Sequence, residues 1–128
     1  MKPAILLLAH GARDPRWAAP FETMAARIAA LDPGRTVRLS YLDFIAPDLP
    51  TAAARLVREG FERIDIVPLF LGSGGHVRND VPRLLGELQA QNPSVKWSLH
   101  PAIGEVNEVI DAMARAALEL AQRGLRSS

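Results

Sequence analysis

The sequence predicts an α/β domain built on an open four-stranded parallel sheet, strand order 2-1-3-4, with helices on both faces. Three observations predict it. Four strand-like segments alternate with four stretches of helical periodicity, a pattern that demands parallel pairing through right-handed crossovers. Two of the strands belong in the middle, buried on both faces: Ala4–Ala9 is a continuous apolar run, and Ile64–Leu71 is dense in apolar and β-branched residues. The other two, Val37–Leu42 and Val95–His100, alternate in polarity as edge strands do.

The first strand ends at His10-Gly11. Asp14-Pro15 then supplies a helix cap and a proline at the first helical position, and Phe21, Met24, Ile28 and Leu31 recur at helical spacing up to Asp32-Pro33-Gly34. After the second strand, a helix beginning near Pro47-Asp48 turns Leu49, Ala53, Leu56 and Val57 inward and stops at Gly60. In the third strand, Pro68 marks where ladder pairing should cease. Past Gly72-Ser73-Gly74-Gly75-His76, a helix from about Val77 to Ala90 is expected to bury Val81, Leu84, Leu85 and Leu88. Pro101 ends the fourth strand. Val106, Val109, Ile110, Met113, Ala117 and Leu120 then form the inward stripe of a last helix that closes at Gly124. The order 2-1-3-4 is that of the first part of flavodoxin-like folds. Residues 1–128 read as one domain, with 125–128 as a frayed tail.

Composition limits the functions open to such a domain. Apolar residues make up 48% and charged residues 23%, a globular balance. Fifteen Lys and Arg stand against fourteen Asp and Glu, so no global field favours nucleic acid or a membrane surface. Cysteine is absent, which excludes disulfides, thiolate metal sites and thiol nucleophiles. Any metal must be held by His and carboxylate. The apolar start is interrupted at Gly11-Ala12-Arg13-Asp14, and no run approaches the ~20 residues of a membrane span, so a cytoplasmic protein is expected.

In an open parallel sheet, ligands bind beyond the carboxyl ends of the strands where the order reverses, here between strands one and three. His10 and His76 lie at those two ends, and Asp43 just past the end of strand two. Two imidazoles and a carboxylate suit Co, Ni, Fe or Zn and leave positions open for a substrate nitrogen. A helix N-terminus at His76 disfavours its protonated form and keeps a lone pair available. Each residue also has a plainer reading: His10 as a loop residue, Asp43 as a cap for the turn before Pro47. His100, on the far edge strand, reads as a loop residue. The Gly72–Gly75 loop matches neither a Walker motif nor a dinucleotide fingerprint; its bare backbone suits close approach of a flat ligand. Arg13, Arg16 and Arg78 border the same crevice and can bind anions, although ordinary solvated surface serves for any one of them.

Three blocks carry a family resemblance. Leu8-Ala9-His10-Gly11-Ala12-Arg13-Asp14-Pro15 resembles the opening motif of the sirohydrochlorin chelatases. Tyr41-Leu42-Asp43-Phe44-Ile45-Ala46-Pro47-Asp48-Leu49 resembles the second motif, and Val67 through Pro82, with Gly72-Ser73-Gly74-Gly75-His76 inside it, the third and most specific. The blocks run in family order over nearly the whole chain, which is most similar to the short CbiX-type class. That resemblance implies ATP-independent insertion of cobalt, or of iron in the sirohaem branch, into sirohydrochlorin by a homodimer with no organic cofactor. It implies His10 as proton acceptor and metal ligand and His76 as second ligand. Ile45, Phe70, Leu71, Gly72, Ser73, Gly74 and Gly75 are implied as macrocycle contacts, with Arg13 and Arg78 matching the ligand's carboxylates. Asp43 stands where many relatives carry Glu, one methylene longer. Two rival readings use the same scaffold: a non-catalytic metal or tetrapyrrole carrier, and a flavodoxin-like mononucleotide binder, the latter disfavoured by the paired histidines.

Overall fold

The structure, a computed structural model, describes residues 2–72 and 74–127 and gives no account of the side chains at 75–77 and 127. Its strands are β1 (Pro3–Ala9), β2 (Thr36–Tyr41), β3 (Arg63–Pro68) and β4 (Lys96–Leu99). Its helices are α1 (Ala19–Leu31), α2 (Leu49–Arg58), α3 (Gly75–Gln91) and α4 (Asn107–Ser127), with 3₁₀ turns at Pro15–Ala18 and Ile103–Glu105. All strand pairs are parallel and the sheet order is β2-β1-β3-β4, as the sequence predicts. Register places Leu7 beside Leu39 on one side and Val67 on the other.

Strand alternation divides the core. Ala4, Leu6, Leu8, Ile64, Ile66 and Trp97 face α2 and α3, where Leu49, Ala53, Leu56, Val81 and Leu88 close over them. Burying each such leucine is worth roughly 1.5–3 kcal/mol, so this layer holds the sheet together. The opposite face carries Ile5, Leu7 and Ala9, and α1 covers only its β2 side, where Ala9, Ala18 and Tyr41 pack with Trp17, Phe21 and Leu39.

Several expectations are corrected. The first helix is split, because the Asp14 carboxylate caps a separate 3₁₀ turn through the Arg16 N–H at 3.0 Å, and α1 begins only at Ala19. Within α1, Phe21 and Ile28 are half-buried while Met24 and Leu31 are exposed. Helix α3 starts at Gly75, two residues before the expected Val77, so the backbone of His76 belongs to its first turn. The largest correction concerns α4. Its apolar stripe does not face the chain's own core: no described residue from Ile110 onward is even half-buried, and the helix runs past Gly124 to Ser127. Amphipathic periodicity shows that a helix has an apolar side but not what covers it.

On edge strand β2, Ser40 is fully buried instead of solvent-facing, because α2 lies over that face. Its Oγ donates to the Leu7 carbonyl at 2.8 Å. Ser40→Ala should lower unfolding free energy by about 1 kcal/mol, read as a shifted midpoint in a denaturant titration with an unchanged slope.

Candidate functional site

The site begins where the central strands run out. Pro68 has no N–H to continue the ladder, and Leu69 makes the last link by donating to the Leu8 carbonyl at 2.7 Å. On the other side of β1, pairing continues beyond both strands: the Leu42 N–H donates to the Ala9 carbonyl and the Asp43 N–H to the His10 carbonyl, each at 2.9 Å. This extension fixes Asp43 beside His10. It requires Gly11, whose φ of +91° lies in the left-handed region, and whose missing Cβ would stand against the Asp43 carbonyl oxygen.

His10 is exposed, but its ring rests on a buried one: the His10 and Phe70 centroids are 4.1 Å apart at an interplanar angle of 34°. Phe70, the residue two past the end of β3, thus gives the imidazole an apolar floor. In front of His10 lies a cleft of about 360 Å³ lined by Tyr41, Asp43, Asp48, Asp80 and Arg83 among others. The carboxylates have different duties. Asp48 caps α2 by accepting the Thr51 N–H at 2.9 Å, a bond that holds its carboxyl below the usual range. Asp48 is thus engaged with α2, while the Asp43 side chain makes no hydrogen bond or ion pair with the described residues. Burial, reinforced by Glu22, pushes the Tyr41 phenol up, so it stays neutral at this wall of the cleft.

The loops beside His10 present apolar surface. Phe44, after β2, is 65% exposed, and Leu71, after β3, is 74% exposed. Since β1 lies between β2 and β3, the loops that carry these residues lie on either side of the one that carries His10. The Arg13 guanidinium stands over the Phe44 ring, 4.8 Å from its centroid. Phe44 also adopts a φ of 68°, unusual for an aromatic residue and a form of strain that concentrates at functional sites. Ile45 is half-buried against the Ala9–Tyr41 cluster. Gly72 and Gly74 are exposed on the loop before α3.

Not every candidate shares the cleft. Arg78 borders a second hollow of about 200 Å³ together with Phe70, Val81, Leu99, His100 and Glu105. Arg16 is bound to Asp14 at 2.8 Å, so it is occupied as that residue's partner. Ser73 and the side chain of His76 lie outside the described residues, and of Gly75 only its place at the start of α3 is described. Among the described residues, no three His or carboxylate side chains form a metal cage.

Three features escaped the sequence reading. Phe44 lies inside a motif but looks like a core residue by composition. Asp80 stands four positions after His76, a helical spacing that was legible and unused. His100 is more than a loop residue: its Nε2 is 2.8 Å from the Asp65 carboxylate, which Arg63 meets at 3.3 Å. Burial pushes the Asp65 carboxyl up, but His100 and Arg63 together outweigh it and leave the group below its ordinary value.

Comparison with known proteins identifies the family. The CbiX family model matches residues 4–120. A sirohydrochlorin cobaltochelatase of Methanococcus aeolicus is 31% identical over 88 residues, covering 69% of this chain and 62% of that protein. A sirohydrochlorin ferrochelatase of Bacillus subtilis is 31% identical over 117 residues, covering 88% of this chain and 43% of its own length. The chain thus spans about three-fifths or less of these relatives. Among solved structures, a cobalamin biosynthesis CbiX protein from Marinobacter aquaeolei superposes with a TM-score of 0.83 at 32% identity, over 94% of this chain and 98% of that one. The chelatase SirB of Bacillus subtilis subspecies spizizenii, in complex with cobalt, superposes at 0.80 with 26% identity, over 94% of this chain and 52% of its own. With the family's match spanning nearly all of β1 through α4, the chain belongs to the CbiX family.

Proposed function

We propose that this chain inserts a divalent metal, cobalt foremost and iron next, into sirohydrochlorin, as a cytoplasmic chelatase domain that needs neither ATP nor an organic cofactor. The observation that carries the reading is His10: an exposed imidazole on a buried aromatic floor, at the switch point of the sheet, with its backbone paired to that of Asp43 and both residues lining one cleft. The names of the relatives support the same substrate class.

The chemistry asks for this arrangement. Two pyrrole protons must leave as the metal enters, so a base beside the ring is needed together with ligands that release the ion. His10 holds the incoming metal through a ring lone pair and, once the ion passes to the ring nitrogens, takes one of the two pyrrole protons on that lone pair, the other leaving to solvent water; His76 and Asp43 complete a partial coordination set. The metal is substrate. Phe44 joins Leu71, Ile45 and the Phe70–Gly75 segment as the apolar bed of the macrocycle, and Arg13 and Arg78 take up its peripheral carboxylates. A second copy of the chain forms the other wall of the cleft. Incubating sirohydrochlorin anaerobically with each metal, with and without protein, tests the reading through the tetrapyrrole absorbance. Multiple turnovers with cobalt support insertion; stoichiometric binding alone would assign the chain to carriage.

Asp43 can be tested separately by cobalt titration. Asp43→Asn, which removes the anionic charge, should weaken binding about tenfold or more, the loss of a charge-assisted contact worth about 1.5–3 kcal/mol. Asp43→Glu, which keeps the charge and adds a methylene, should bind at least as tightly as Asp43. Equal affinity of Asn and wild type would remove Asp43 from the metal site.

A further inference from the structure

We infer that Phe44 is a positioning residue for Arg13: its ring seats the guanidinium beside the His10 cleft, where it takes one peripheral carboxylate of the tetrapyrrole. This rests on the reading above and names how the anionic rim of that ligand is recognised.

The turn that carries Phe44 is strained, and both of its ends are held. The Ile45 N–H donates to the Asp43 carbonyl at 2.8 Å, and Phe44 between them has a φ of 68°. This is a γ-turn of the uncommon, strained hand, and a bulky side chain is poorly suited to it. Leu42 packs on the α2–α3 core and Ile45 on the Ala9–Tyr41 cluster, while the Leu42 and Asp43 N–H groups are bonded to the backbone of Ala9 and His10. With both ends anchored inward, the Phe44 ring stands out from the surface and belongs to neither core cluster of the described residues. A glycine would suit this backbone better. Strain kept where the core gains nothing from the side chain points to a use for that side chain.

Arg13 supplies the use. It reaches from the loop after β1 to the ring, with its guanidinium carbon 4.8 Å from the centroid. Arg13 makes no hydrogen bond or ion pair with the described residues, whereas Arg16, three positions on, is held by Asp14. The loop thus engages one arginine and presents the other. Ordering a long, mobile side chain opposes binding. A guanidinium held over a ring face has already lost part of that freedom, yet keeps N–H donors for a carboxylate.

The surroundings fit an anionic arm only if a cation is fixed there. Phe44 lines a hollow of about 320 Å³ that shares Leu42, Asp43 and Asp48 with the His10 cleft. Asp43 and Asp48 repel a carboxylate, and Arg13 at this edge offsets them. A macrocycle centred on His10 brings its carboxylate arms outward to the surrounding loops, of which this is one.

The test is equilibrium binding of metal-free sirohydrochlorin to the full chain, followed by the tetrapyrrole absorbance at low and high salt, with folding verified by circular dichroism. Arg13→Gln should bind about tenfold more weakly, the loss of one charge-assisted contact. Phe44→Leu keeps an apolar side chain but removes the aromatic seat. It should weaken binding about threefold or more when Arg13 is present, and by less than about twofold in the Arg13→Gln background. Phe44→Tyr should restore the affinity, and the salt dependence should become shallower in Arg13→Gln and Phe44→Leu alike. Arg16→Gln, the control for charge alone, should bind as the wild type does. Phe44→Gly should lose affinity as Phe44→Leu does, yet unfold at an equal or higher denaturant midpoint. Independent effects of Phe44→Leu and Arg13→Gln, equal weakening by Arg16→Gln, or a lowered midpoint in Phe44→Gly would overturn the proposal. A wild type that binds no sirohydrochlorin would overturn it together with the reading beneath it. The assay contains no metal, so absence of turnover in the insertion assay is a separate result that bears on the chelatase reading alone.

Discussion

Replacing His10 by alanine should reduce metal insertion about 10²–10⁴-fold, the usual contribution of a positioned general base, while leaving the fold in place. The imidazole is exposed and makes its closest ring contact with Phe70, so removing it opens no cavity in the α2–α3 core. The backbone carbonyl that accepts from Asp43 is retained in the variant, and the neighbouring loop keeps its anchor. Insertion rates with cobalt and iron, together with circular dichroism, check the expectation. A rate within a few-fold of wild type in a folded His10→Ala protein would remove His10 from the chemistry.

Gly11→Ala should be nearly as damaging to the rate by a different route. The added methyl carbon would fall 1.8 Å from the Asp43 carbonyl oxygen, so the loop after β2 must move by more than an ångström, carrying Asp43 and Phe44 with it. A shift of about 1 Å in a positioned group can cost on the order of 10²-fold in rate. Gly60→Ala is the control, because Gly60 has the same φ of +91° and nothing within 4 Å of the added carbon. That substitution should show only the left-handed strain, about 1–2 kcal/mol, with normal insertion. If the two variants lose the same stability and neither loses activity, the close approach of Gly11 to Asp43 has no catalytic weight.

Much of this architecture is legible in the chain itself. The apolar density of Ala4–Ala9 and Ile64–Val67 identifies the central strands, with Asp65 the exception that His100 and Arg63 hold, and alternation at Val37–Tyr41 identifies an edge. Strand order then brings the loops after β1, β2 and β3 together, and with them His10 and Asp43. What the sequence does not encode locally is the medium on the far side of an element. Ser40 alternates as if exposed, yet lies beneath α2, and the α4 stripe reads as inward although its described residues from Ile110 onward are exposed. Periodicity reports a difference between two faces and is silent on which neighbour supplies the apolar one. The pairing of His100 with Asp65 was invisible for a related reason, since it depends on β3–β4 register between residues 35 positions apart.

One small residue connects two regions that have so far been described separately. Gly104 sits so close to the segment after β3 that a methyl carbon there would reach within 2.2 Å of the Leu71 carbonyl oxygen, and its N–H donates to the Phe70 carbonyl at 2.9 Å. The root of α4 is thereby fastened to the backbone that carries the floor of His10 and the exposed Leu71. A displacement of either segment must be passed to the other, because the two backbones meet with no side chain between them to absorb it.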